Sequence, residues 1–369
     1  MNESIFSKRI SALRDELHSQ NVDAIFVSFL PHLRYVSNFS GSYGLGIVLK
    51  NNSKLATRNS QLFFTDGRYK EQIKQELNGW KVFITRDNLI EYIKEKKIFR
   101  GIKNIGFDKN TLSFAEHSKL VEFFPHHRFI PLENVFEKFT SVKDETELVS
   151  LKKSIAVTDN VFTEILSAIE AGMTESELAA EISFLQKILG GETDAFEPIV
   201  ASGWRGALPH ARSSQKKIKR GELVVLDFGT VVNGYHSDMT RTIGVGKISS
   251  EIKKVYQVVK DSQQKAIDAV KNGMSAKKID GIARNYIRKK GFGKFFNHSL
   301  GHGVGLQIHE APKLSPTSKH TLQTGMAITI EPGIYIPNLC GIRIEDIVVV
   351  EKDGCKVLTQ SEKELITLN

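Results

Sequence analysis

The sequence predicts an α+β protein in two parts: a smaller α/β domain, then a larger domain with helices on a mostly antiparallel sheet. Two observations predict it. Helix-period and strand-period segments alternate as far as about residue 140, which implies partly parallel pairing. Beyond that point, long helical patterns frame apolar strands that come in hairpin order. The 369 residues suffice for two domains, with expected boundaries 1–140 and 141–369.

The elements follow in order. Residues 4–19 read as an amphipathic helix leading into the strand DAIFVSF. SNFSGSYG is loop-like, GIVLK an apolar run and NNSKLATRNS a polar loop. LFFTDGRY is a strand end and turn, YKEQIKQEL a helix, KVFIT a strand, NLIEYIKEKKI a helix and KNIGFD a strand. The glycines of this part form no phosphate-binding fingerprint. SVKDETELVSLKKSI marks the boundary and opens a long helix, with Asp144 or Thr146 near its cap. TESELAAEISFLQKILGG opens on a capping-box pattern. Two more helices, SSEIKKVYQVVKDSQQKAIDAVKNG and SAKKIDGIARNYIRKKG, separate two groups of strands.

Those strand groups carry Asp227, Asp238, His302, Glu331 and Glu345, each in a short apolar, Gly-punctuated run. A bare charge in such a run is costly to bury, so the acids need cations or protons. Asn233-Gly234 is the strongest two-residue hairpin signal. If it forms the turn, Val232 faces Tyr235, Asp227 faces Thr240 and Asp238 faces Gly229. Pleat parity then puts Asp227, Asp238 and Thr240 on one face, the two aspartates roughly 7–8 Å apart as diagonal neighbours. Thr329 and Glu331 share a face of one later strand, and Arg343 and Glu345 a face of the next. Pro332-Gly333 should end or bend the first of these. Alternating glycines in GHGVGLQIHE allow close backbone approach, and His302 supplies a nitrogen. Any one of these residues alone reads as structural. Together they suggest a two-metal hydrolytic centre, its metals roughly 3.5–4 Å apart. Oxygen-rich ligation with one imidazole suits Mn²⁺, Fe²⁺, Co²⁺ or Zn²⁺ and leans toward the harder ions. Without thiols it does not resemble a structural zinc site.

Composition narrows the class. The chain is 40% hydrophobic and 25% charged, as expected of a globular protein. Its net charge of +9 is dispersed over lysine-rich segments without aromatic interleaving, so no nucleic-acid partner is expected. Cys340 and Cys355 show neither a disulfide framework nor metal-type spacing. The charged start lacks a signal-peptide apolar region, and no apolar run is long enough for a membrane span. A cytoplasmic protein without a membrane partner is expected.

LDFG, GYHSDMTRT, GHGVGLQIHE, TIEPGIY and GIRIED, in that order, resemble the motifs of the pita-bread metallopeptidases, specifically the proline peptidases aminopeptidase P and prolidase. The resemblance covers about residues 145–369, and the preceding part looks like the creatinase-type N-terminal domain of that family. It implies two divalent metal ions, Mn²⁺ first, with Co²⁺, Zn²⁺ or Fe²⁺ as alternatives. Asp227 would chelate one ion and His302 the other, with Asp238 and Glu345 bridging. Glu331 would both ligate and assist proton transfer. A metal-activated hydroxide would attack the scissile carbonyl. His210 would stabilise developing negative charge, His309 would hydrogen-bond the substrate, and Arg343 would orient substrate or neighbouring carboxylates. Thr240 and Thr329 are candidates to support ligands from behind, and His298 and Trp204 to line the pocket. The substrate implied is a peptide with proline at its second position, and a homodimer is the implied assembly.

The function expected is therefore Xaa-Pro aminopeptidase, with Xaa-Pro dipeptidase as the alternative. Proline's tertiary amide has no hydrogen to offer a general peptidase, so a dedicated pocket is needed. A non-peptidase hydrolase or an inactive binding module on the same fold would not keep all five ligands. Methionine aminopeptidases usually lack so large an N-terminal domain.

Overall fold

Strand-forming runs such as AIFV, LGIVL and QLFFT in the first 140 residues become the centre of a six-stranded mixed sheet. This computed structural model describes residues 4–50 and 60–369, and the chain divides into units 1–140 and 141–369. The first sheet runs Lys81–Ile84, Gln61–Thr65, Leu45–Leu49, Ala24–Val27, Asn104–Asp108 and Arg128–Leu132. Its two central pairings are antiparallel. The flanking three are parallel, as the alternation of elements required.

The sequence reading differs here in two respects. The helices expected at YKEQIKQEL and NLIEYIKEKKI are short, Gln72–Glu76 and Leu89–Glu95. Gly67–Tyr69 form a separate 3₁₀ turn, so the first helix begins three residues later than expected, and a left-handed φ of 52° at Lys97 stops the second early. Helices Leu30–Ser37 and Phe114–Phe123 and strand Arg128–Leu132 were not anticipated. Pro31 in the first turn of Leu30–Ser37 sits where its missing N–H costs nothing, yet a proline reads as a breaker. The polar loop expected at 51–60 lies, except for Ser60, outside the described residues.

The second unit is built twice over. Helices Glu145–Ile165 and Glu175–Ile188 pack on a hairpin made by Glu222–Phe228 and Met239–Val245. Helices Ser250–Ala269 and Ala276–Lys289 pack on strands Ala327–Ile330 and Asp346–Val350 and on Gly333–Ile336 and Cys340–Arg343. Asp144 and Thr174 cap the first two helices through capping boxes. The pairing in this unit is antiparallel throughout, apart from a short parallel edge at Thr367–Leu368.

The first hairpin keeps the register expected from its turn. Val232 pairs with Tyr235 and Asp227 with Thr240, without a slip between. Asn233 and Gly234 supply the two positive φ values, 51° and 78°, of a type I′ turn. At Gly229 the ladder passes from one sheet to another. A Cβ at Gly229 would lie 1.9 Å from the Ser237 carbonyl oxygen, so only glycine permits the crossing.

The second hairpin is kinked in the same way. Ile330 pairs with Asp346 and Gly333 with Arg343. Glu331 and Glu345 fall at the break between the two ladders, and Pro332 makes it. The two hairpins are joined where Glu345 N donates to Thr240 O at 3.1 Å and Thr242 Oγ1 donates to Arg343 O at 2.9 Å. This junction carries the site.

Gly229→Ala is expected to lower stability by about 2 kcal/mol or more, since a closed ladder must open for the methyl. Denaturant unfolding checks it; an unchanged midpoint would show that the ladder yields freely.

Candidate metal centre and cleft

Strand parity aims the acids at one place. Asp227, Asp238, His302, Glu331 and Glu345 line a single cleft of about 720 Å³, together with His210, His309 and Arg343. Ligating atoms of Asp238, His302 and Glu345 lie within 4.8 Å of one another. Glu331 joins them, its Oε1 3.5 Å from His302 Nε2, as is Asp238 Oδ2. Asp227 is drawn instead toward Arg343, whose Nη2 donates to its Oδ2 in a short ion pair. Trp204 is half-exposed and does not line the cleft.

The tautomer of His302 is fixed by chemistry. Its Nδ1 faces the Gly303 carbonyl at 3.0 Å, and a carbonyl can only accept, so the proton sits on Nδ1. Nε2 then turns a lone pair toward the carboxylates. Burial, with neighbouring His309, lowers the His302 pKa to about 4, which keeps the ring neutral and ligand-competent. The two threonines stand behind these groups. Thr240 Oγ1 donates to Glu345 Oε2 at 2.7 Å, and Thr329 Oγ1 donates to Glu331 Oε1 at 3.4 Å while accepting from His302 N at 3.1 Å.

The charge balance is strained without cations. Burial and mutual repulsion hold Asp238 and Glu331 well above the usual carboxylate range. Burial and the Asp227 charge push Glu345 up to about 8. Asp227 Oδ1 and Glu345 Oε1 are buried with no hydrogen-bond partner. Orphaned acceptors inside a cluster of carboxylates and one free imidazole lone pair fit divalent cations.

Arg343 is the local organiser. Burial alone would lower its pKa, but Tyr335, Asp227 and Glu331 hold the guanidinium charged. It donates to Thr240 Oγ1 at 3.0 Å, Pro209 O at 3.2 Å and the Tyr335 hydroxyl at 2.8 Å. Tyr335 in turn faces His298 Nε2 at 2.9 Å. His298 Nδ1 donates to Ser299 O at 2.7 Å, so Nε2 accepts from Tyr335. The sequence reading did not single out Tyr335. Parity could have found it: Gly333 pairs with Arg343, so Tyr335 is Arg343's diagonal neighbour on the same face.

His309 stands beside His302, ring centroids 4.4 Å apart. Burial, with His210 nearby, lowers its pKa. Its loop is pinned by the next residue. Glu310 accepts from Lys143 Nζ at 2.6 Å and from Gln307 N at 3.0 Å. Both side chains of that ion pair are buried. Neither Lys143 nor Glu310 is recognisable from sequence, since their positions differ by 167 residues.

Comparison with known proteins decides the family. The chain matches the metallopeptidase family M24 over residues 149–352. This chain belongs to that family. Residues 9–142 match the creatinase/prolidase N-terminal domain. An Xaa-Pro dipeptidase from Pyrococcus horikoshii is 36% identical over 98% of this chain and 99% of its own length. The structure of an Xaa-Pro dipeptidase from Bacillus anthracis aligns with a TM-score of 0.93 at 37% identity, covering 98% of this chain and all of that one. An X-Pro aminopeptidase from Thermotoga maritima aligns with a TM-score of 0.87 at 34% identity, covering 94% and 98%. The α+β expectation, a creatinase-type domain before a pita-bread M24 domain, is borne out.

The raised carboxylate pKa values set a sign for stability in metal-free protein. A carboxyl whose folded pKa exceeds its unfolded value binds protons more tightly when folded, so stability falls as pH rises. For Glu345 the fall spans 4.5 to about 8. Chelated protein is expected to unfold more easily at pH 8 than at pH 5, with divalent metal reversing the difference. Denaturant midpoints with and without chelator check it; a midpoint rising with pH in chelator would contradict it.

Proposed function

We propose that this M24 metallopeptidase hydrolyses the bond between an N-terminal residue and a following proline, using two divalent metal ions. The observation that carries the reading is the convergence of four carboxylates and a neutral histidine in one cleft, in a chain whose relatives are named for Xaa-Pro substrates. Asp227, Asp238, His302, Glu331 and Glu345 would hold the ions. Such ions lower the pKa of water toward neutrality and polarise a carbonyl.

The remaining steps belong to the protein's own side chains. Glu331, at the break between the two ladders, takes up and returns the proton. A carboxylate within reach of the reacting group can do both. His309 and His210 offer N–H donors to the negative charge that develops on the substrate carbonyl. Arg343 holds Asp227 and, through Thr240, Glu345 in place. Apolar walls from Phe196, Ile199 and Ile308 exclude water and accept a ring that has no N–H to satisfy.

The aminopeptidase reading comes first from the sequence. The dipeptidase alternative gains support from the relatives named Xaa-Pro dipeptidase. Mn²⁺ as the native metal, a homodimer and cytoplasmic residence belong to the same proposal. Among the described residues, no helix is long and apolar enough to cross a membrane. Paired assays of Xaa-Pro and Xaa-Pro-Xaa peptides with added Mn²⁺ and chelator controls test the function. Cleavage of both supports the aminopeptidase, and cleavage of the dipeptide alone the dipeptidase. Chelator-insensitive or absent cleavage, also with Co²⁺ and Zn²⁺, overturns the reading.

Asp238→Asn is expected to abolish turnover and lower metal occupancy, read by metal analysis of the dialysed variant. His309→Ala should keep its metal and lose about 100-fold in kcat, the usual cost of one transition-state donor. Metal loss in His309→Ala would make that residue a ligand instead.

A further inference from the structure

Glu175 is a fully buried carboxylate outside the metal cluster, and its hydrogen bonds all go to one loop. It lies in the first turn of helix Glu175–Ile188, but that helix is already capped by Thr174 and Glu177. Its Oε1 accepts from Ser202 N at 2.7 Å and Ser202 Oγ at 2.9 Å. Its Oε2 accepts from Arg205 Nε at 2.8 Å, Ser214 N at 3.2 Å and Ser214 Oγ at 2.7 Å. Arg205 also reaches across to Arg212 O. The carboxylate therefore closes both ends of segment 202–214.

That segment presents Pro209, His210, Ala211 and Arg212 to the cleft. Its far side is held at Pro209 O by Arg343, which also holds Asp227. A buried anion is costly unless fully paired. Five donors meet that cost here, and what they fix is a loop with a site histidine at its tip. We infer that Glu175 is a positioning residue that fixes His210 against the scissile bond through the 202–214 loop. The inference rests on the Xaa-Pro peptidase reading.

The test uses the metal-loaded full chain with E175Q, S214A, H210A and the E175Q/H210A double variant. An amide presents one acceptor and one donor group, so E175Q turns an N–H₂ toward existing donors. E175Q is expected to lower kcat about tenfold or more, with KM and metal content little changed. S214A removes one donor while leaving the carboxylate in place, and should show a smaller drop in kcat. It carries the test if E175Q does not fold. In the H210A background E175Q should cost less than about twofold, because the two act as one unit. Limited trypsin digestion should cleave after Arg212 several-fold faster in E175Q and S214A than in wild type.

Wild-type kcat in folded E175Q and S214A would overturn the inference. So would an E175Q loss that multiplies the H210A loss in full, which marks a merely structural role. Should the wild type not cleave Xaa-Pro peptides, the functional reading fails. The digestion then still decides the clamp, and unchanged cleavage after Arg212 refutes it.

Discussion

Everything in the second unit answers to one constraint, the burial of four carboxylates at the crossing of two kinked hairpins. Strand pairing brings them there, and the fold alone does not neutralise them. Arg343 is the one arginine among the eight site residues assigned from sequence, and of the four carboxylates it forms an ion pair with Asp227. The surplus negative charge appears as raised pKa values at Asp238, Glu331 and Glu345 and as two orphaned oxygens. Cations relieve that penalty, so metal binding and folding stability are expected to be coupled.

The face behind the site shows how the junction is kept rigid. Arg241 and Asp346 directly follow Thr240 and Glu345, so pleat alternation turns them away from the cleft. They form a buried ion pair at 2.7 Å. Arg241 also donates to Thr240 O at 3.0 Å and to Glu345 O. Lys363 reaches the other Asp346 oxygen at 3.0 Å, tying in the C-terminal segment. The negative cluster on one side and the paired cluster on the other thus share a backbone. Each histidine loop has its own anchor as well: Glu310 with Lys143 beneath His309, and Glu175 beneath the His210 segment. Fixed donors of this kind need no reorganisation as charge develops in a reaction.

The sequence made the centre legible because its logic is local. An Asn-Gly turn sets a register, and a register sets which residues share a face. Asp227, Asp238 and Thr240 followed from that alone, and the later strand break followed from Pro332-Gly333 itself. The anchors were not legible. Lys143, Glu310 and Glu175 work through partners far along the chain, and no periodicity announces them. The short helices of the first unit were overread because helix-favouring residues extend beyond them, into the turn before Gln72 and past Glu95 to the Lys97 stop. Tyr335 was within reach of the same parity rule and was missed because a tyrosine in an apolar strand reads as packing.

Metal stoichiometry tests the account most directly. Metal-stripped protein would be titrated with Mn²⁺ by equilibrium dialysis, with metal and protein measured by independent assays. The expected result is two ions bound per chain at saturation, with Asp238→Asn binding fewer. Saturation at one ion, or unchanged stoichiometry in Asp238→Asn, would contradict a two-metal centre bridged by these carboxylates.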